Sequence, residues 1–397
     1  MLSAFDLNKT YQYLLISLAF LMPLTVSGAN TIVVIICFLW LISGSYKAKF
    51  NQIISNKLMI ASILFYLMHV VGMLWTEDVE WGLHILHKMW YFLLFLPILS
   101  NIVQKKYIKH YLTAFLLAIA FTEIVSYLVW FEIIEPFKNA TIKNPTPFMS
   151  HVSYNPILAF AIYIVSYQMF FNKKLSNLEF FFYSFFGVCM TINMFITGGR
   201  AGQVAFFVMI SILIFQFFDK QRLKSLLLIL IMIPSIFFTA YYSSDLFKTR
   251  VDLGISDVQH NRLNGDVSLR INFAKNSFDV IKHNLLFGVG TGDFPREYKK
   301  INKVNTPTLP NTTNPHNMYT LILMQLGSIG LLSMLSIFYY QVKLSFNAPN
   351  KFLKDFGITL PLVFLVIMMS DSYLLGHFTS LMFVFFASFL YKDFEKN

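Results

Sequence analysis

The sequence predicts an all-α protein, a polytopic bundle of transmembrane helices with about 12 spans and one large polar loop that carries an amphipathic helix. Three observations lead there. Of 397 residues, 56% are hydrophobic and only 13% are charged, against ~25% charge in an ordinary soluble domain. Apolar runs of roughly 17–25 residues, the length that crosses a hydrocarbon layer, recur along the chain. Between the runs, Lys-rich and Lys-poor loops alternate.

The apolar runs fall at 11–27, 30–44, 58–75, 86–101, 109–131, 154–171, 178–197, 201–218, 223–241, 317–343, 355–370 and 373–391. The second and fourth are short, which suits tilted or partly re-entrant segments. Loops after even-numbered spans hold Lys47, Lys49 and Lys57; Lys105, Lys106 and Lys109; Lys173 and Lys174; Lys220, Arg222 and Lys224; and Lys351 and Lys354. Short loops after odd-numbered spans hold few basic residues, chiefly Lys138 and Lys143. Basic residues collect on the cytoplasmic side, so both termini are expected there and the loops after odd spans outside. The net charge of +11 is then a matter of topology. No basic stripe interleaved with aromatics sits in one polar domain, so nucleic acid is not an expected partner. Cys37 and Cys189 lie inside predicted spans, and the polar loop has no cysteine and hence no disulfide. The N-terminal run lacks a small-residue cleavage site followed by soluble sequence, and reads as a first anchor. Three segments result: 1–241, a membrane bundle of about nine spans; 242–316, an outer loop domain; and 317–397, about three more spans.

Within the loop, residues 268–286 read as a helix. Ala274, Phe278, Ile281 and Leu285 recur at helical spacing and predict one apolar face, with Asp266 or Ser268 as cap. Such a helix would lie along the outer membrane face and cover a cavity. Phe287-Gly288-Val289-Gly290-Thr291-Gly292-Asp293-Phe294 reads as a glycine-rich turn flanked by aromatics, and 301–314, rich in Thr, Asn and Pro, as irregular.

Three basic residues stand out. His316 follows Asn314-Pro315. Thr313 or Asn314 can cap the next helix and Pro315 suits its first position, which places His316 in the first helical turn at the outer membrane edge. The helix dipole disfavours imidazolium there, and a neutral imidazole is what a general base needs. The competing reading is an interfacial histidine bonded to loop carbonyls. Arg200 sits in Thr197-Gly198-Gly199-Arg200-Ala201-Gly202, at the start of a span. Arginine with exposed N–H groups at a helix start suits phosphate; otherwise it is a snorkelling anchor, a reading weakened by its expected place outside. Arg270 lies in the first turn of the loop helix, after Arg250 and Arg262. Several basic groups around one cavity would suit a diphosphate, because arginine binds phosphate oxygens in pairs.

Acids are scarce. Glu123 alone lies clearly within a span, and Asp371 lies near a hairpin between the last two. Glu77, Asp78 and Glu80 could hold a divalent ion, but read better as a solvated loop end, so no metal is expected. There is no Asp-x-Asp, and Gly288, Gly290 and Gly292 lack the βαβ context of a dinucleotide fingerprint. No cofactor is expected.

These residues, in this order, resemble the O-antigen ligase family, whose members include O-antigen polymerases and protein O-oligosaccharyltransferases. The matching parts are Thr197–Gly202; Arg270 ahead of the amphipathic helix that leads into Leu286–Phe294; and His316-Asn317-Met318-Tyr319 with Leu321, followed by Gln325-Leu326-Gly327-Ser328-Ile329-Gly330. They cover about residues 195–335, and Gln325 stands where relatives often carry an acid. The resemblance implies a GT-C-like helical bundle in a bacterial inner membrane, with both termini cytoplasmic and the site facing the periplasm. It implies an inverting, metal-independent transfer of a glycan from undecaprenyl diphosphate to an acceptor hydroxyl, in ligases that of lipid A-core. Arg200 and Arg270, with Arg250, Arg262 and Asn317, would bind substrate, and His316 would deprotonate or orient the acceptor. A polymerase, a protein O-oligosaccharyltransferase and, from another class, a polysaccharide transporter or flippase remain as alternatives.

Overall fold

The computed structural model describes residues 6–138, 140–259 and 265–394, with the backbone alone at Val258. Every regular element among them is helical. In chain order these are α1 (Leu7–Leu21), α2 (Val26–Ile42), α3 (Tyr46–Ser55), α4 (Lys57–Gly72), α5 (Val79–Trp90), α6 (Leu96–Ile102), α7 (Ile108–Trp130), α8 (His151–Phe171) and α9 (Asn177–Ile196). Then follow α10 (Arg200–Phe217), α11 (Arg222–Ser243), α12 (Asp245–Gln259), α13 (Asp266–Ile281), α14 (Phe294–Asn305), α15 (Met318–Phe346), α16 (Lys351–Ile367) and α17 (His377–Leu390). Among the described residues, eight helical stretches are long and apolar enough to cross a membrane, or nine if α2 and α3, bent by 118°, form one span. The other expected spans fall on α1, α16 and α17, of 15, 17 and 14 residues. At ~1.5 Å per residue these are shorter than a ~30 Å hydrocarbon layer.

The chain forms two compact units. Unit 1 is Met1–Leu18, Val26–Tyr111 and Asp257–Asn397; unit 2 is Ala19–Thr25 and Leu112–Ser256. The expected loop domain is therefore divided, with 242–256 in unit 2 and 257–316 in unit 1.

In unit 2, α8 is the buried centre and α9 and α10 pack on it. Two glycines set the α8–α10 approach: a Cβ at Gly199 would press on Asn155 at 2.6 Å, and one at Gly202 would collide with the Asn155 and Pro156 backbone. Several polar side chains inside this unit pair with one another. Tyr154 donates to Asn193 Oδ1 at 3.0 Å, and Asn193 Nδ2 donates to Ser126 at 2.9 Å. Outward, α9 and α11 show phenylalanines and leucines such as Phe181 and Leu230. Such a surface is stable facing lipid and costly facing water.

Unit 1 is built on rings. Phe383 meets Phe364, Phe338 and Phe92 at centroid distances of 4.7, 5.7 and 6.1 Å, and Phe92 meets Phe65 at 5.6 Å. All five are buried. Beside them α15 breaks at Gly327, where φ is 63° and ψ −164°. A break in a buried helix frees backbone groups that need partners. The glycine-rich turn supplies them. Val289 N donates to Met324 O at 2.9 Å and Gly290 N to Gln325 O at 3.0 Å, while Ser328 N donates to Leu285 O at 2.8 Å. Gly292 N donates to the Gln325 side-chain oxygen at 2.9 Å, so an amide fills the acceptor role an acid would have. Farther along the same turn, Thr291 donates to His69 O at 2.7 Å, and Asp293 accepts from Glu77 N and Asp78 N at 2.9 and 2.7 Å. The three glycines have φ of 69°, 120° and 93°, the region open to glycine.

Three expectations about the loop need correction. The helix α13 ends at Ile281, and Leu285 and Leu286 belong to the turn on α15. Of the expected apolar face only Ile281 is buried; Ala274, Phe278 and Leu285 are exposed, and Phe273, Asn276 and Ser277 face inward. Apolar spacing marks the lipid-compatible side as readily as the core side. The inward side is fixed by Asn276, whose amide donates to Thr306 at 2.7 Å and to Tyr298 and Asn302 at 3.3 Å. Last, α14 occupies 301–305, expected to be irregular, and α12 was not anticipated. Replacing Gly327 by Ala should cost about 1–3 kcal/mol of backbone strain, since its Cβ would meet the Leu286 carbonyl. Gln325→Leu should cost about as much by orphaning the Gly292 N–H. Thermal unfolding of the purified chain checks both; unchanged midpoints would mean that the turn does not hold the kink.

Candidate functional site

Unit 1 holds His316 in a small polar network. The helix α15 begins at Met318 with Asn317 as its cap, accepting from Thr320 N at 3.0 Å. His316 thus lies before the helix and not in its first turn, with φ of 52°. The positive dipole end is not what conditions this ring. Asn314 holds the turn instead: its side-chain oxygen accepts from His316 N at 2.9 Å and from the Ser372 hydroxyl at 2.8 Å. Its amide donates to Asp371 Oδ1 at 2.8 Å, and Ser372 N donates to the same oxygen at 2.7 Å. Asp371 Oδ2 faces His316 Nδ1 at 3.3 Å.

This arrangement sets the proton positions. Burial pushes the Asp371 carboxyl up, but the His316 ring, the Ser372 N–H and the Asn314 amide together outweigh it and hold the carboxyl below its ordinary value. An ionised carboxylate only accepts, so the neutral tautomer that suits this contact carries its hydrogen on Nδ1 and its lone pair on Nε2. An imidazole held this way can take a proton from a hydroxyl. The ring lies near parallel to Phe273, with centroids 6.2 Å apart, and its side chain is 37% exposed. Asp371 was noted in the sequence only as a rare acid near a hairpin. Its partnership with a residue 55 positions away is a product of the fold; the available signal was a single Asp-Ser in an otherwise apolar stretch.

Arg270 stands one turn before Phe273 on α13. Arg270 is exposed, whereas Phe273 is buried. The Arg270 charge acts on the buried hydroxyl of Tyr373, two residues after Asp371. Arg270 is thus within electrostatic reach of Tyr373, two positions from the aspartate that His316 faces. Asn317 has its amide engaged on both sides, capping α15 and donating to Met369 O at 3.1 Å.

Unit 2 holds two further candidate arginines, Arg200 and Arg250. Arg200 opens α10, just after Gly198 and Gly199. Thr197 is buried and donates to Asn155 Oδ1 at 2.9 Å, and Gly198 N donates to Asn144 Oδ1 at 3.1 Å. This fixes the turn that projects Arg200. Arg250, on α12, comes close to the same turn: a Cβ at Gly198 would lie 3.4 Å from its Nη2. His151, which the sequence did not single out, lies 2.7 Å from the Asn144 amide and within the field of Arg250. Arg262 lies outside the described residues.

Of the other acids, Glu77 pairs with Arg296, and Asp78 caps α5 by accepting from Trp81 N at 3.0 Å. Glu123 is buried in unit 2.

Residues 185–335 match the family model described as O-antigen ligase. No curated protein matches the chain. The matched segment runs from α9 into α15 and contains Arg200, Arg250, Arg262, Arg270, His316 and Asn317, but stops before Asp371. The match supports a relationship of residues 185–335 to the O-antigen ligase family.

Proposed function

We propose that this membrane protein is a glycosyltransferase of the ligase type. It moves a polysaccharide from undecaprenyl diphosphate to an acceptor hydroxyl, that of lipid A-core, on the periplasmic face of the inner membrane. The observation that carries this reading is the His316–Asp371 pair, a base with its orienting acid, in which His316 belongs to the family segment and Asp371 lies beyond it. The acceptor O–H gives its proton to Nε2 as its oxygen attacks the anomeric carbon. The bond from that carbon to the diphosphate breaks on the opposite face, and configuration inverts. The leaving diphosphate takes the electron pair and gains charge. Arg200, Arg250 and Arg270 are the cations assigned to it, with Arg262 in the same role. Cations that grip the leaving group harder as its charge grows lower the barrier. One base and a held leaving group suffice, so neither a second carboxylate nor a metal is required. Asn317, with its amide engaged in the cap, serves by fixing the turn that carries His316.

His316→Ala should lower transfer by roughly 10²–10⁴-fold, the range of general-base catalysis, while donor binding persists. Asp371→Asn should also lower it, because an amide can donate to Nδ1 and move the ring proton to Nε2. Wild-type rates in either variant would remove the base assignment. Arg200→Ala and Arg250→Ala should instead weaken donor affinity roughly tenfold or more, as lost charge-assisted contacts do. Unchanged affinity would count against a diphosphate role.

The Asp371 value is lowered in the folded protein, so its stabilising effect is present above the ordinary ~3.9 and is lost as pH falls through the lower folded value. A melting midpoint that is flat from neutral pH to about that ordinary value, and drops below it, is expected. In a strain lacking the protein, long polymers should accumulate on undecaprenyl diphosphate beside bare lipid A-core. Single repeats stranded there would instead indicate a polymerase, and a normal profile of both would overturn the glycosyltransferase reading.

A further inference from the structure

A second polar region of unit 1 has no part in this chemistry. It is a cavity of about 600 Å³, bounded by the start of α1, the turn between α2 and α3, the end of α6 and the residues after α17. Its place is at the end of the unit away from His316. The helix α17 starts six residues after Asp371 and runs 14 residues before Lys392 is reached.

Four lysines line the cavity: Lys49, Lys105, Lys106 and Lys392. None of its lining residues is acidic. Among the described residues, no ion pair joins any of the four to a carboxylate. Other lysines of the same unit do meet acids, as Lys351 meets Asp355 at 2.8 Å and Lys282 meets Asp279 at 2.7 Å.

The inner two lysines are held by neutral groups. Lys392 is 9% exposed and donates to the carbonyls of Asn101 and Val103, each at 3.0 Å. An ammonium has three donors, and these carbonyls take two. Lys49 donates to Trp40 O and to the Ser43 hydroxyl, both at 2.6 Å, and sits 4.5 Å from the Trp40 ring centroid. Lys105 and Lys106 are exposed at the rim. The wall between is polar: Asn101 donates to Gln52 at 2.9 Å and accepts from the Trp40 indole at 3.2 Å.

Buried positive charge with only neutral partners is costly. An anion in the cavity would remove that cost and take the remaining donors. The volume lies within the ~300–1,000 Å³ usual for small-ligand sites. We propose that this cavity binds a phosphate-bearing anion, with Lys49 and Lys392 at its floor and Lys105 and Lys106 at its mouth. The group is a phosphate ester, carried by an anionic phospholipid headgroup or by a soluble phosphate. Burial pulls the Lys392 ammonium down to about 8, and a bound anion would draw it back up. By the lysine alternation this end faces the cytoplasm, where anionic headgroups attract such clusters.

The test uses the full chain purified into nanodiscs of phosphatidylglycerol and phosphatidylcholine. Retained phosphatidylglycerol is counted by native mass spectrometry, and inorganic phosphate is titrated against thermal stability. Two double variants are compared, Lys105→Ala/Lys106→Ala at the rim and Lys173→Ala/Lys174→Ala at exposed lysines outside the cavity. The rim variant should hold phosphatidylglycerol roughly tenfold more weakly, and the control pair should match wild type. If phosphatidylglycerol is not retained, but phosphate stabilises wild type and the control pair and not the rim variant, the ligand is a soluble phosphate and the site stands. Failure of both probes to bind wild type overturns the proposal. So does a rim variant that binds like wild type, or a control pair that loses as much as the rim variant.

Discussion

The architecture of unit 1 depends on how a broken helix is kept satisfied. At Gly327 the backbone of α15 leaves helical geometry inside a buried environment. Water cannot serve the freed groups there, and each unpaired amide or carbonyl would cost about 2–7 kcal/mol on transfer scales. The turn 285–292 answers group for group, donating to two carbonyls of α15 and accepting from Ser328 N. Because the answering segment is backbone, it must come very close. That explains glycine at 288, 292 and 327 better than any ligand-binding fingerprint does: at each, a Cβ would collide with another backbone segment. The same turn carries Thr291 and Asp293 to the far end of α4 and the start of α5. One satisfied kink thus fixes three parts of the unit in register.

The geometry around His316 is secured by a different device. His316 is a non-glycine residue in left-handed backbone, a conformation that persists only where neighbours over-determine it. Here Asn314 holds its N–H, Asp371 its ring, Phe273 its face and Asn317 the helix behind it. Asn314 is the common element, since one side chain braces both the histidine backbone and the aspartate. In unit 2 the corresponding brace is Asn155, which receives Thr197 and admits Gly199 and Gly202, so that Arg200 emerges at the first position of α10.

Much of this was legible in the chain. The apolar runs gave helices at nearly the expected places, because bilayer thickness imposes a length that sequence displays directly. The break around Arg200 was visible in its glycines. His316 stood out as a histidine between a Pro and a helix start. The structure departs where the deciding contacts are distant. Asp371 lies 55 residues from His316, and no local pattern joins them. The inward side of α13 was misassigned because periodicity reports an apolar stripe without saying what it faces; Asn276 and its partners on α14, 22 to 30 residues on, decide that. The helix α14 was hidden by its polar composition.

The kink also bears on the order of assembly. Its partners at 285–290 precede Met324–Ser328 by only about 35 to 43 residues, whereas the bond from Thr291 to His69 closes a loop of 222. Loop closure grows costlier with separation, so the short pairing is the easier to form. On a chain emerging from its N-terminus, the turn is already made when α15 enters, and the break in that helix never waits for a cap. The contact with α4, a segment synthesised long before, closes the longer loop and is the entropically costlier of the two pairings.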